Sequence, residues 1–283
     1  MENPKSGKDL RNPVSEELKA ALSDVQIVHV KTEYAGHASS LAAEFIRSSD
    51  ALFVAGGDGT LNDAIQSIPA AKGIPILVIP TGTGSDFARS LGIFSLKDSI
   101  SAFRKGKIIT VDTALMRSGN EQRLFVNVAE IGFGASVMER VNNSASGRNV
   151  FIRSILRELS GLKSYSIEIT CDDVTRDFST SEIVIANAHY FGRGMHASPG
   201  SLMDDGLLDV HLIRKIGRIA LLMNLGSLKS GKYVKKRMVE NFSCRRISVT
   251  GDRAPVEIDG EVVGFTPVTI QVIPKSLSFY TNI

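Results

Sequence analysis

Features that would announce special chemistry are scarce in this sequence. Only two cysteines occur among its 283 residues, Cys171 and Cys244, and they show no metal-ligand spacing. They read as free thiols of a reducing compartment. Charge of one sign is also lacking: 33 Lys and Arg stand against 30 Asp and Glu, a formal net charge of +3. That balance does not point to nucleic acid, although it suits transient contact with anionic lipid. No apolar run approaches the ~20 residues that cross a bilayer, and no secretory leader is visible. Internal repeats and low-complexity tracts are absent. These absences predict a cytoplasmic protein, at most peripheral to a membrane. At 43% hydrophobic and 22% charged residues, the chain has ordinary globular composition, with length for one large domain or two.

What is present centres on residues 51–62, Ala-Leu-Phe-Val-Ala-Gly-Gly-Asp-Gly-Thr-Leu-Asn. Leu52 to Ala55 form a short apolar run that suits a buried strand. The run stops at Gly56, Gly57, Asp58 and Gly59. Leu61, Ala64, Ile65 and Ile68 then recur at helical spacing. The glycines therefore lie at a strand-to-helix junction, where free N–H groups and the positive helix end favour phosphate. Asp58 would repel an anion, so it fits a Mg²⁺ site or a proton acceptor better. Alone, such a glycine cluster is more often a simple turn. A second one downstream changes the balance: Ile74 to Ile79 runs into Pro80-Thr81-Gly82-Thr83-Gly84-Ser85-Asp86-Phe87-Ala88-Arg89.

Upstream, the pattern predicts a helix over Ser15–Ser23, a strand over Val25–Val30 and a helix entered at Gly36-His37-Ala38. Strands alternating with helices imply a doubly wound parallel sheet, with ligands outside the carboxyl ends of its strands. Thr32, Gly56–Thr60 and Thr81–Asp86 all follow strands and would share one ligand. After residue 112 most segments read as strands: Asp112–Met116, Arg123–Ala129, Ser166–Cys171, Asp177–Asn187, Leu207–Ile213, Arg246–Thr250, Val256–Ile258 and Val268–Ile273. Helices are expected only over Phe151–Leu162 and Ile219–Val239. The fold class is thus α/β, a doubly wound nucleotide domain followed by a mostly antiparallel, β-sandwich-like domain. The boundaries are 1–112 and 113–273, with 274–283 free to rejoin the first.

Gly56-Gly57-Asp58-Gly59-Thr60 with Asn62, followed by Gly82-Thr83-Gly84-Ser85-Asp86, resembles the diacylglycerol kinase catalytic family. Within it, the chain resembles the soluble bacterial lipid kinases related to diacylglycerol and sphingosine kinases. Asn3-Pro4-Lys5-Ser6-Gly7 is similar to the family's opening motif, and Thr32 with Gly36-His37-Ala38 to its second. Phe125-Val126-Asn127 with Gly132-Phe133, Leu202 to Asp209, and Asp259-Gly260-Glu261 resemble later signatures. The resemblance implies a cleft between two domains, ATP and Mg²⁺ as cofactors, and a lipid substrate met at the membrane surface. Asn3, Pro4, Lys5, Ser6, Gly7, Thr32, Gly56, Gly57, Asp58, Gly59, Thr60, Leu61, Asn62 and Thr83 would bind ATP. Glu261 would accept the proton of the substrate hydroxyl, and Asp58 would sit by the catalytic Mg²⁺ or act as the base. Leu202, Asp205 and Leu207 would hold a second Mg²⁺, the leucines through backbone carbonyls.

The chain departs from the family pattern in four places. No apolar strand precedes Asn3, so an open sheet edge is expected there. Ser85 stands where Asn is usual, Gly134 where an acidic residue is common, and Arg193 interrupts a glycine run. The implied activity is transfer of the ATP γ-phosphate to a hydroxyl of a membrane lipid such as diacylglycerol. The alternatives are a soluble-substrate kinase resembling NAD kinase, and an inactive nucleotide- or lipid-binding regulator. A homo-oligomer is compatible with the sequence, and nucleic acid is not expected as a partner.

Overall fold

The computed structural model describes residues 1–4, 14–68, 73–82, 84–144 and 150–283. The chain divides into two compact units, Met1–Thr113 with Pro274–Ile283, and Ala114–Ile273. In chain order the first comprises helices α1 (Val14–Ala21) and α2 (His37–Phe45), strand β1 (Leu52–Gly56), α3 (Asp58–Ile65), β2 (Ile76–Pro80), α4 (Asp86–Ser90) and α5 (Leu96–Lys105). Strand β3 (Ile108–Ser118) begins in this unit.

Strands β1 and β2 run parallel, with Leu52 opposite Ile76 and Gly56 opposite Pro80. Both are almost wholly buried, as continuous apolar runs in a parallel sheet should be. The sheet continues with Phe279 beside Ile76, again parallel. On the other side of β1 the expected open edge is covered. Glu2 bridges Ala55 on one side and Lys31 on the other, both in parallel sense. The N–H of Asn3 donates to Ala55 O at 3.0 Å, and the N–H of Glu2 to Val30 O at 2.9 Å. Residues 1–3 thus lie along the edge that was expected to be open. The strand expected over Val25–Val30 makes no ladder, and Val28 is exposed.

The second unit adds β4 (Glu121–Phe125), β5 (Val128–Gly132), α6 (Phe133–Asn142), α7 (Val150–Ser160), β6 (Tyr165–Cys171), β7 (Val174–Ala186), β8 (Tyr190–Phe191), β9 (Met195–His196) and β10 (Leu208–Arg214). There follow α8 (Arg218–Lys229), a 3₁₀ turn (Lys232–Lys235), β11 (Val239–Cys244), β12 (Arg246–Gly251), β13 (Pro255–Ile258), β14 (Glu261–Phe265) and β15 (Val268–Tyr280). Pairing is antiparallel from β11 through β10, β7, β5 and β13 to β14, and from β7 through β6 and β12 to β15. Alternate residues of these strands, Ile167, Ile169, Ile183, Ile185, Val210, Leu212, Ile247 and Val249 among them, build one apolar core.

Three expectations change here. The run Arg123–Ala129 is broken at Val126–Asn127 into two strands. Residues 133–142 form a helix, α6, where none was expected. The long helix expected over Ile219–Val239 ends at Lys229, and the chain returns as strand β11.

Candidate active site

In the first unit the two glycine turns are pressed together. A Cβ on Gly82 would lie 2.7 Å from the Gly57 Cα, and one on Gly56 would lie 2.5 Å from the Thr60 side chain. Neither position has room for a side chain, which explains the glycines better than turn conformation does. Asp58, at the start of α3, faces the second turn. Its Oδ2 accepts the N–H of Asp86 at 2.9 Å, and its Oδ1 accepts that of Phe87 at 3.1 Å. The carboxylate therefore caps α4 from outside the helix. Burial holds the Asp58 carboxyl above its ordinary value, against the opposing pull of these N–H groups and of Arg89.

Other residues expected at the nucleotide gather at the same end of β1. The Nδ2 of Asn3 donates to Thr60 Oγ1 at 2.9 Å. The N–H of Thr32 donates to Glu2 O at 3.0 Å, and that of Gly36 to Asp63 Oδ2 at 2.9 Å. Leu61 and Asn62 are buried, with Gln66 Nε2 donating to Asn62 Oδ1 at 3.2 Å, so both face inward from α3. Pro4 is exposed. Lys5, Ser6, Gly7 and Thr83 lie outside the described residues.

In the second unit Glu261 follows a two-residue turn. Asp259 and Gly260 have φ of +48° and +90°, the two left-handed positions that an Asp-Gly hairpin needs. The Asp259 carboxylate accepts the N–H groups of Val126 at 3.3 Å, Asn127 at 3.1 Å and Val128 at 3.1 Å. The break between β4 and β5 thus serves to aim three donors at one carboxylate. Glu261 itself is half-exposed and pairs with Arg123 on β4, Nη2 to Oε2, at 2.5 Å. Asp205 closes a small turn by accepting the Leu207 N–H at 3.0 Å, and Leu202 is exposed. Among the described residues no group of three or more His, Cys, Asp and Glu side chains could hold a metal ion. One carboxylate and two backbone carbonyls, the set expected at Leu202, Asp205 and Leu207, remain hard oxygen donors of the kind Mg²⁺ takes.

Sequence reasoning missed one group altogether. Glu130, Glu182 and Glu257 are buried on three neighbouring strands. Glu257 lies directly opposite Glu130, and Glu182 opposite Gly132, so all three occupy one face of the sheet. Burial pushes the Glu130 carboxyl up to about 7. It also raises Glu182 and Glu257, with the Glu130 charge adding to both. The signal was available: Glu130 interrupts a strand that is otherwise apolar and wholly buried.

Parallel strands ending in glycine turns around a carboxylate, then an antiparallel unit with a Glu on a tight hairpin, define a phosphotransferase class of the diacylglycerol kinase and NAD kinase folds. Residues 1–116 match the diacylglycerol kinase catalytic domain, and residues 127–281 the YegS C-terminal NAD kinase beta sandwich-like domain. The chain belongs to the family of diacylglycerol kinase and YegS-like lipid kinases. A diacylglycerol kinase of Mycobacterium tuberculosis is 28% identical over 84% of this chain and 78% of its own. A protein of Serratia proteamaculans described as a YegS-like lipid kinase is 31% identical over 70% of this chain and 68% of its own. The crystal structure of a diacylglycerol kinase from Bacillus anthracis superposes with a TM-score of 0.72 at 22% identity, covering 99% of this chain and 94% of that one. An NAD kinase from Archaeoglobus fulgidus in complex with ATP shares the fold at a TM-score of 0.55 and 15% identity, covering 96% and 90%.

Proposed function

We propose that the protein is an ATP-dependent lipid kinase that transfers the γ-phosphate to a hydroxyl of a membrane lipid such as diacylglycerol. The observation that carries this reading is the convergence of both glycine turns on Asp58 beside Asn3 and Thr60. Phosphoryl transfer needs a phosphate cradle, a cation and a positioned acceptor more than it needs covalent chemistry. Backbone N–H groups of the first turn of α3 suit the phosphates. The Asp58 oxygens keep lone-pair capacity beyond their N–H bonds and could face a cation. Mg²⁺, when bound, neutralises developing charge on the phosphate oxygens. Asp205 with the carbonyls of Leu202 and Leu207 would hold a second Mg²⁺ of structural kind. Glu261 would take the proton of the acceptor hydroxyl, with Arg123 fixing its carboxylate.

A lipid acceptor implies contact with a membrane. On α7, Ile152 and Leu156 are 59% and 52% exposed beside Arg153 and Arg157. On α8, which packs against α7, Ile219 and Met223 are 77% and 80% exposed beside Arg218. Apolar side chains standing among arginines suit an anionic bilayer surface. No described helix is long and apolar enough to cross a membrane.

The test is an acceptor panel with radiolabelled ATP and Mg²⁺: diacylglycerol, sphingosine, and NAD in parallel. Label in a lipid product is the expected result. Label in NAD alone would replace this reading with the NAD kinase one, and no ATP turnover with any acceptor would make the protein a binding regulator.

A further inference from the structure

Glu257 has no part in the reading above, yet its position ties it to the hairpin that carries Glu261. Its side chain lies on the same face as that of Glu130, directly across the β5–β13 pair, and both are buried. Its Oε2 also accepts the N–H of Gly260 at 2.7 Å. Two carboxylates facing each other in a buried sheet do not both stay charged, so the pair holds at least one proton. A carboxylic acid has one donor and one free acceptor oxygen. Placed on Glu257, the proton satisfies the whole arrangement: O–H toward Glu130, carbonyl oxygen toward Gly260. The charges that reach this side chain, Glu130 on β5 and Asp259 on the turn, are both negative and both oppose its ionisation. The Glu130 charge acts on Glu182 of β7 with the same sign. From α6, Met138 reaches toward Gly260, and the Nδ2 of Asn142 donates to the Gly260 carbonyl at 3.1 Å.

The space around the pair is equally specific. A Cβ at Gly134 would lie 2.3 Å from Glu130 Oε1. The missing side chain at 134 is therefore the room that Glu130 needs in order to meet Glu257.

We propose that Glu257 is a positioning residue that works as a neutral carboxylic acid, relaying β5 through Glu130 to the Gly260 N–H and so fixing where Glu261 stands. The inference rests on the reading of Glu261 as proton acceptor. It makes two glutamates four residues apart respond oppositely to one substitution. Gln presents an N–H₂ to Glu130 and an oxygen to Gly260, which reproduces the neutral acid at 257, whereas at 261 it removes the base.

The experiment measures kcat and ATP KM with diacylglycerol in mixed micelles, and amide hydrogen exchange of the Gly260–Glu261 segment, for Glu257→Gln, Glu257→Leu and Glu261→Gln. Glu257→Gln should stay within about threefold of wild type in kcat and exchange. Glu257→Leu should lose about 10²-fold in kcat with ATP KM unchanged, the cost expected of a misplaced base, and should exchange faster at the tip. Should Glu257→Leu fail to fold, Glu257→Asp replaces it; one methylene shorter, it cannot span both partners and should show the same kcat loss. Equal damage from Glu257→Gln and Glu257→Leu, or wild-type kcat and exchange in Glu257→Leu, would overturn the proposal. If Glu261→Gln keeps its kcat, the base reading falls, and the exchange rates alone decide whether Glu257 holds the tip.

Discussion

The Asp58 carboxylate receives the N–H of Asp86 at 2.9 Å, so the first glycine turn caps the helix that the second begins. Asp58 is thus a structural tie between the two turns. From sequence, Asp58→Ala looks like a loss of activity with the fold intact. The two N–H groups it would strand say otherwise. Asp58→Ala should lose both phosphoryl transfer and about 1–3 kcal/mol of stability, the cost of leaving buried donors unpaired. Asp58→Asn keeps an acceptor and should lose less stability while losing as much activity. Urea unfolding of the two variants checks this; equal stability in Asp58→Ala and wild type would refute the tie.

The raised carboxyl of Glu130 sets a pH dependence. Its folded value of about 7 exceeds the ordinary 4.5. A group raised in the folded state contributes stability that is full below 4.5 and lost as pH rises through about 7. Glu130→Gln removes that titration. The difference in unfolding free energy between wild type and Glu130→Gln should therefore shift against wild type from pH 4.5 to pH 8, by an amount on the order of 3 kcal/mol. A pH-independent difference would show that Glu130 titrates normally.

Arg123 pairs with a Glu261 carboxylate that is 43% exposed. Exposed pairs contribute little to stability, about 0–1 kcal/mol. Arg123→Leu should melt close to wild type yet lower kcat, because Glu261 loses its orientation. Glu261→Gln should lower kcat about 10²-fold or more with ATP affinity unchanged. Wild-type turnover in both variants would remove Glu261 from the chemistry.

Asp205 should matter through Mg²⁺. Adding Mg²⁺ should raise the melting temperature of wild type more than that of Asp205→Ala, since a ligand bound only to the native state stabilises it. An identical response in the two proteins would argue against a cation there.

At the membrane, sedimentation with anionic vesicles at low salt should exceed that with neutral ones, and salt should weaken it. Ile152→Ser with Leu156→Ser, or Ile219→Ser with Met223→Ser, should reduce binding severalfold without lowering the melting temperature. Equal sedimentation with both vesicle types would refute the electrostatic contribution.

Much of this was legible in the sequence because the informative signals are local. Strand, glycine turn and helix follow one another within about fifteen residues at Leu52–Ile65 and again at Ile76–Ser90. The Asp-Gly hairpin at 259–260 is equally local. What the sequence hid depends on residues distant along the chain. Helix α6 follows two strands in a region whose pattern read as β. The glutamate cluster joins positions 130, 182 and 257, which only strand pairing brings together.

The departures from family pattern have physical consequences. Ser85 sits at φ +47° and Arg193 at φ +71°, left-handed positions that Asn or Gly adopts more readily. Gly134 leaves space that Glu130 occupies.

The approach of Gly82 to Gly57 has a consequence for anyone selecting variants of this enzyme. A methyl at position 82 would lie 2.7 Å from the main chain of Gly57. Even alanine there must push the turns apart and pull Asp58 off the start of α4. In a mutational library, positions 58 and 82 should therefore behave as a single locus. A substitution at one should lose most of its further effect once the other is already broken, and damage across the pair should saturate rather than add.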